Sequence, residues 1–365
     1  MYFIVAKTAL RYGTIKMTIL KKIIAIIFFV FAAIVYAESD TIAAKPNQNA
    51  PSFLPRGKNW KLVWSDEFNG TELDQSKWNF RLFFWGTKFK AFTDKGVEVK
   101  AGSLRLHIVK NPDGTYSSPH LQTGSLIFDI PAEKGVKFWP FGKRVEPKFM
   151  HRFGYYEIKC RFPKNDGWHA AFWLQAPGVG THPDPSVAGM EIDIMENYKL
   201  YSDNKIICGP LWDGYGKDGK RCGHFHIEHK ETPDKWHYYG VDWKVDGYDY
   251  YIDGKLVGST TIHKDKATGP TFDKQGCHNG GVLHAPVSHV EQFILVSTEV
   301  HGYRYSDRHD PILDKIVLPD YFEVDHIRVY DDVNLNPGVT VDNNKIFNNQ
   351  THTGPDLFKS RQNNK

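Results

Sequence analysis

Glu191-Ile192-Asp193-Ile194-Met195-Glu196 sets three carboxylates within six residues of an otherwise apolar, β-prone run. Gathering acids among apolar neighbours costs desolvation and mutual repulsion, so the arrangement needs a chemical reason. Glycosidic bond cleavage is one: two carboxyl groups flank the bond, one ionised and one protonated. Side chains alternate along a strand, which puts Glu191 and Asp193 on one face and Glu196 on the other. A β-bulge near Ile194-Met195 would insert one residue and return Glu196 to the face of the other two. A plain strand with one solvent face is the competing reading of the same residues.

The elements around this run are read as strands. From Trp60 to Tyr330, short β-prone runs follow one another, separated by Gly, Pro, Asn and Asp. Examples are Ser103 to Val109, Tyr155 to Phe162, Tyr238 to Trp243, Phe293 to Val300 and Phe322 to Tyr330. Asp253-Gly254 after Tyr248 to Ile252 is a hairpin signal. No long segment beyond the N-terminal apolar run keeps a helical period, so the pattern predicts an all-β sandwich. By alternation Ser297, Glu299 and His301 share one face of their strand. Glu299 either enters a sugar cleft there or is buried against an arginine such as Arg304.

The chain has 365 residues, enough for one large β domain with appendages. Aromatics make up 14% of it, which suits both sugar-stacking surfaces and the core of a large sandwich. Ile23 to Val35 is an apolar run preceded by Lys21-Lys22 and followed by Val35-Tyr36-Ala37, the pattern of a secretory signal peptide. Residues 1–37 are therefore read as signal, with Met17 as its start, and no membrane span is expected in the mature form. The formal charge of +4 comes from that segment: removing its five cations from the 46 Lys and Arg leaves 41 against 42 Asp and Glu. A near-neutral chain without a basic stripe argues against a nucleic-acid partner. Residues 38–56, polar with Pro and Asn, read as a leader, and 334–365 as a polar tail. Cys208 and Cys222 bracket a Pro-Gly-containing loop and are read either as a bridge or as free thiols, as are Cys160 and Cys277.

Several words recur in order along the chain. They are Trp64-Ser65-Asp66-Glu67-Phe68-Asn69-Gly70, Gly154-Tyr155-Tyr156-Glu157-Ile158-Lys159, Gly167-Trp168-His169-Ala170-Ala171-Phe172-Trp173-Leu174, the acidic run, and Val324-Asp325-His326-Ile327-Arg328-Val329-Tyr330. Together, over roughly residues 57–333, they resemble family 16 glycoside hydrolases, most closely the laminarinase-like branch with the bulged ExDxxE strand. The resemblance implies a β-jelly-roll sandwich of two antiparallel sheets with a concave cleft, and a retaining endo-hydrolase. It assigns Glu191 as nucleophile, Glu196 as acid/base and Asp193 as the helper between them.

Carried over residue by residue, the resemblance also makes Trp168 and Trp173 cleft-lining, with Trp168 after Gly167 facing sugar and Trp173 divided between cleft and core. Glu299 and His301 stand where relatives keep small or amide residues, which bears on substrate choice. Glu67, Gly102 and Asp325 match positions that supply oxygens to a structural calcium on the convex face. No cofactor is expected for catalysis, and the partner is a polysaccharide met by a monomer. Endo-β-1,3-glucanase activity leads. A β-galactan hydrolase on agar-, porphyran- or carrageenan-like chains is the alternative, with Lys88, Lys90, Lys143 and Arg144 in long loops as candidate sulfate holders. A non-catalytic carbohydrate-binding protein is the third reading.

Overall fold

Alternating apolar residues build two large antiparallel sheets face to face in the computed structural model. It describes residues 39–46, 50–84, 87–88, 91–124, 126–127, 143–144, 147–177, 179, 185, 189–199, 205–212, 220–221, 225–228, 235–261, 278–279, 282–300 and 311–335. The strands used below are β1 (Thr41–Ala44), β2 (Ser52–Pro55), β3 (Trp60–Asp66), β4 (Val97–Lys100), β5 (Ser103–His107), β6 (Tyr116–Gln122) and β7 (Gly154–Arg161). They continue with β8 (Trp168–Gln175), β9 (Glu191–Lys199), β10 (Lys205–Trp212), β11 (His237–Trp243), β12 (Gly247–Ile252), β13 (Lys255–Thr261), β14 (Phe293–Val300) and β15 (Tyr321–Asp332). Shorter strands extend the edges.

One sheet runs β6-β14-β8-β9-β10, and the other β13-β12-β11-β7-β15-β5-β4 with β3 also pairing with β15. Their inward side chains form one core: Phe172, Leu174, Ile192, Ile194, Met195 and Val296 from the first sheet meet Tyr156, Ile158, Val241, Trp243, Tyr250 and Val329 from the second. This is the all-β sandwich the strand pattern called for, in the jelly-roll form the family resemblance implied. The sheet carrying the acidic run therefore has one face committed to the core. Its other face is available for chemistry.

Two expectations are revised. Residues 38–56, read as a leader, contain the hairpin β1–β2, which lies against the second sheet: Phe53 N donates to Glu157 Oε2 at 2.8 Å, and Tyr330 Oη donates to Ser52 Oγ at 2.7 Å. Leu54 is buried with Tyr155, Tyr251 and Tyr330, and Ala44 packs against them, so a few apolar anchors outweigh the segment's polar composition. Cys160 and Cys208 are buried free thiols in the core, so Cys208 is not half of a bridge. Cys222, Cys277, His301, Arg304, Lys90, the run Ile23–Val35 and the tail beyond residue 335 lie outside the described residues.

Candidate active site

The acids owe their common face to one irregularity. Across β8, Trp173 pairs with Asp193 and Phe172 with Met195, so Ile194 is passed over. Across β10, the pairing steps from Asp193↔Gly209 to Glu196↔Ile207, two residues of β9 spanning one of β10. Ile194 and Met195 both turn into the core with Ile192. Without this bulge, alternation would send Glu196 into that core. With it, Glu191, Asp193 and Glu196 share the opposite face.

Neighbouring strands add polar groups to that face. Glu196 Oε1 lies 2.9 Å from His169 Nε2 and accepts from Tyr198 Oη at 3.1 Å. The His169 ring stacks on Tyr198 with centroids 3.8 Å apart. Glu299 Oε2 stands 4.0 Å from His169 Nδ1 on the far side. At the other end, Glu191 Oε2 is 3.5 Å from Gln175 Nε2, and Gln175 Oε1 accepts from Arg81 at 3.2 Å. The Arg81 guanidinium sits 5.3 Å from the centre of the Trp173 ring, whose Nε1 donates to Ser297 Oγ at 3.2 Å. Asp193 lies between the two clusters, 3% exposed. Beneath the strand, burial pushes the Cys208 thiol well above its ordinary range, and the carboxylates of Asp193 and Glu196 push it further. That thiol is an inert core group.

Trp173 faces the acids, as one of its two sequence readings required. Trp168 does not. It is 0% exposed, packed with Ile108, Tyr116, Val300 and Leu313. The two tryptophans are five residues apart on a strand that pairs continuously with β14, so they must point to opposite faces. Gly167 also holds φ +95°, and a Cβ there would come within 2.9 Å of Leu313 Cδ2, the close approach that seals this cluster. Ser297 and Glu299 do share the acid face, opposite Ala171 and His169. Arg304, the named alternative partner for Glu299, is outside the described residues; among those described, His169 Nδ1 stands 4.0 Å from Glu299 Oε2. Parity counted back from Trp173 would have found His169, and forward from Glu196 Tyr198. Arg81, which comes from a loop, left no such signal.

The three residues matched to a calcium site are drawn elsewhere. Glu67 is held by a two-pronged pair with Arg328, at 2.8 and 2.7 Å. Asp325 is taken by Lys159 Nζ at 2.9 Å and His326 Nδ1 at 2.7 Å. Gly102 occupies the β4–β5 turn with φ +75°. Among the described residues, no group of three or more His, Cys, Asp or Glu is arranged to hold a metal ion. The carboxylates expected to meet a cation meet protein cations.

A sandwich strand that bulges to present two glutamates and an aspartate on one face defines a carboxylate-based glycoside hydrolase. The sequence model for Glycosyl hydrolases family 16 matches residues 89–278, and the chain belongs to that family. It is 24% identical over 287 residues to glucan endo-1,3-beta-glucosidase A1 of Niallia circulans, covering 74% of this chain and 37% of that one. It is 29% identical over 261 residues to beta-porphyranase C of Zobellia galactanivorans, covering 58% of this chain and 68% of that protein. The crystal structure of a laminarinase from a Flavobacterium species superposes with a TM-score of 0.51 at 21% identity, covering 74% of this chain and all of that one. That likeness establishes the shared fold.

Proposed function

We propose that this glycoside hydrolase is an exported, monomeric, retaining endo-β-1,3-glucanase. Glu191 is its nucleophile, Glu196 its acid/base and Asp193 the group that holds the pair. The observation that carries this reading is the bulge, which sets two glutamates on one face, on either side of Asp193. A retaining mechanism needs carboxyl groups about 5–5.5 Å apart, so the two side chains must lean toward each other over Asp193. Glu191 attacks the anomeric carbon while Glu196 protonates the departing oxygen. Water then enters with Glu196 as base, and β configuration returns. Asp193, on the same face between them, holds Glu191 by a shared proton or hydrogen bond and tunes the ionisation of the pair. Trp173 borders this row with its indole fixed by Ser297 and Arg81.

Export rests on the signal-like segment, and no helix of the described residues is long and apolar enough to cross a membrane. The β-1,3-glucan assignment follows the resemblance to laminarinases and the glucan endo-1,3-beta-glucosidases among the relatives. A β-galactan is the second reading, favoured by 29% and 31% identity to two porphyranases. Against a sulfate ester next to the cut stands Glu299, a further carboxylate near Glu196; anionic groups fit only at more distant subsites. Reducing-end release from laminarin, lichenan, agarose, porphyran and carrageenan tests the assignment. Laminarin should be cut internally, with β-anomeric products seen first by NMR. Preferred cleavage of porphyran transfers the assignment to the galactan reading, and α products first would remove Glu191 from its role.

A further inference from the structure

We infer that His169 is a positioning residue for Glu196, a ring held between Glu196 and Glu299 that fixes which oxygen of Glu196 carries the proton. The inference rests on Glu196 being the acid/base. Three strands supply the parts. His169 on β8 pairs with Tyr198 on β9 and with Glu299 on β14, so all three side chains stand on the acid face. Its Nε2 lies 2.9 Å from Glu196 Oε1, and Tyr198 Oη reaches the same oxygen. The ring is stacked on Tyr198 at an interplanar angle of 15°, which restrains its rotation.

Two donors on Oε1 engage its lone pairs, so the transferable proton belongs on Oε2. Glu299 Oε2 stands 4.0 Å from Nδ1 on the other side of the ring. Asp193 on β9 adds a carboxyl group to this face. His120 on β6, paired with Ser297, and Lys205 on β10, two residues from Ile207, add basic groups. In the first half-reaction the proton leaves Glu196 Oε2 for the departing sugar oxygen, and the charge left on the carboxylate is met by the two donors on Oε1, His169 Nε2 and Tyr198 Oη. In the second half, water returns a proton to Glu196. His169 keeps its own proton throughout.

The test combines His169→Phe, His169→Gln, Glu196→Gln and Glu299→Gln with two readouts. The first is the pH profile of kcat/KM on the polysaccharide that the wild type cleaves. His169→Phe should move the basic limb up by about one pH unit, because a donor on Oε1 no longer favours the ionised carboxyl. It should lower kcat about ten- to hundredfold, the scale of a lost charge-assisted hydrogen bond. His169→Gln, which keeps a donor, should recover part of both. The second readout is the NMR signal of the His169 Nε2 proton without substrate, which Glu196→Gln should move upfield as its bond weakens while Glu299→Gln leaves it bonded. This readout stands even if the enzyme cuts none of the polysaccharides tried, an outcome that fails the proposed function alone. A His169 Nε2 proton unmoved in Glu196→Gln overturns the inference. So does a basic limb that stays in place in His169→Phe while Tm falls, which makes His169 a packing residue.

Discussion

Neutralising Glu196 should remove activity while leaving stability nearly untouched, and the structure gives the sizes. The bulge makes Asp193 and Glu196 equivalent to residues two apart on a strand, about 6.5 Å. Above the pH at which Glu196 gives up its proton, where the comparison is made, two like charges at that separation repel by about 2.5 kcal/mol at an effective dielectric of about 20. Glu196→Gln relieves that repulsion and loses the charge-assisted bonds from His169 and Tyr198, worth about 1.5–3 kcal/mol. The two nearly cancel, so Tm should stay within about 2 °C of wild type. Glu323→Gln is the matched control. Glu323 is equally committed to partners but has two cations beside it, Arg105 Nε at 2.9 Å and Arg161 Nε at 2.5 Å, with Ser103 Oγ donating at 2.7 Å. Its neutralisation takes the charged partner from Arg161 and leaves Arg105 only Glu98 at 3.3 Å, and should cost about 3 kcal/mol, or about 6 °C. Calorimetry and reducing-sugar release on both variants decide the matter. Glu196→Gln should fall about a thousandfold in kcat, and Glu323→Gln should keep its kcat at temperatures where it is folded. If Glu196→Gln instead lost as much Tm as Glu323→Gln and kept its activity, Glu196 would be a structural ion-pair partner and the bulge would have no catalytic purpose.

The two tryptophans of β8 should separate cleanly: Trp168→Ala should cost about 3–5 kcal/mol of stability with KM unchanged, and Trp173→Ala should impair kcat/KM far more than Tm. A KM effect from Trp168→Ala at temperatures where it is folded would contradict its buried position. Burial raises the Glu323 carboxyl, but bonds from Ser103, Arg105 and Arg161 outweigh it and hold the group below its ordinary 4.5. A depressed folded value means the stabilisation is complete above about pH 5 and is lost as pH falls through the folded value. Urea titrations should therefore show Glu323→Gln and wild type converging in stability toward pH 2, and a difference that persists undiminished would refute the linkage. Chelation with EDTA should leave Tm in place, because Arg328 and Lys159 already neutralise Glu67 and Asp325. A fall of several degrees that calcium reverses would show a divalent ion where none is expected.

The sandwich was legible because β-prone runs and turn residues alternate from Trp60 onward, and the bulge because three acids on one apolar strand make sense only on one face. Neither inference needed tertiary detail. Trp168 was misread because proximity to Gly167 was weighed above parity, although the odd separation from Trp173 decides the face. His169 was passed over for the same reason. Residues 38–56 have the composition of a leader, and only contacts with Glu157, Arg328 and Tyr330, more than a hundred positions away, order them. What Glu67 meets likewise depends on Arg328, 261 residues later. Local pattern fixes which face a side chain takes. It does not fix which distant partner waits there.

β15 lies in the interior of the second sheet, bonded to β7, β3 and β5, yet it is the last long strand described in the chain. A chain emerging N-terminus first thus exposes β3, β5 and β7 before the element that joins them exists. The earliest hairpin waits as well, since Ser52 and the Ala50 carbonyl are held by Tyr330 and Arg328. Loops of this length are slow to close. The ordering of synthesis thereby delays completion of the sandwich until about residue 330 is available. Under the proposed export, that delay would keep the polypeptide unfolded for as long as threading requires.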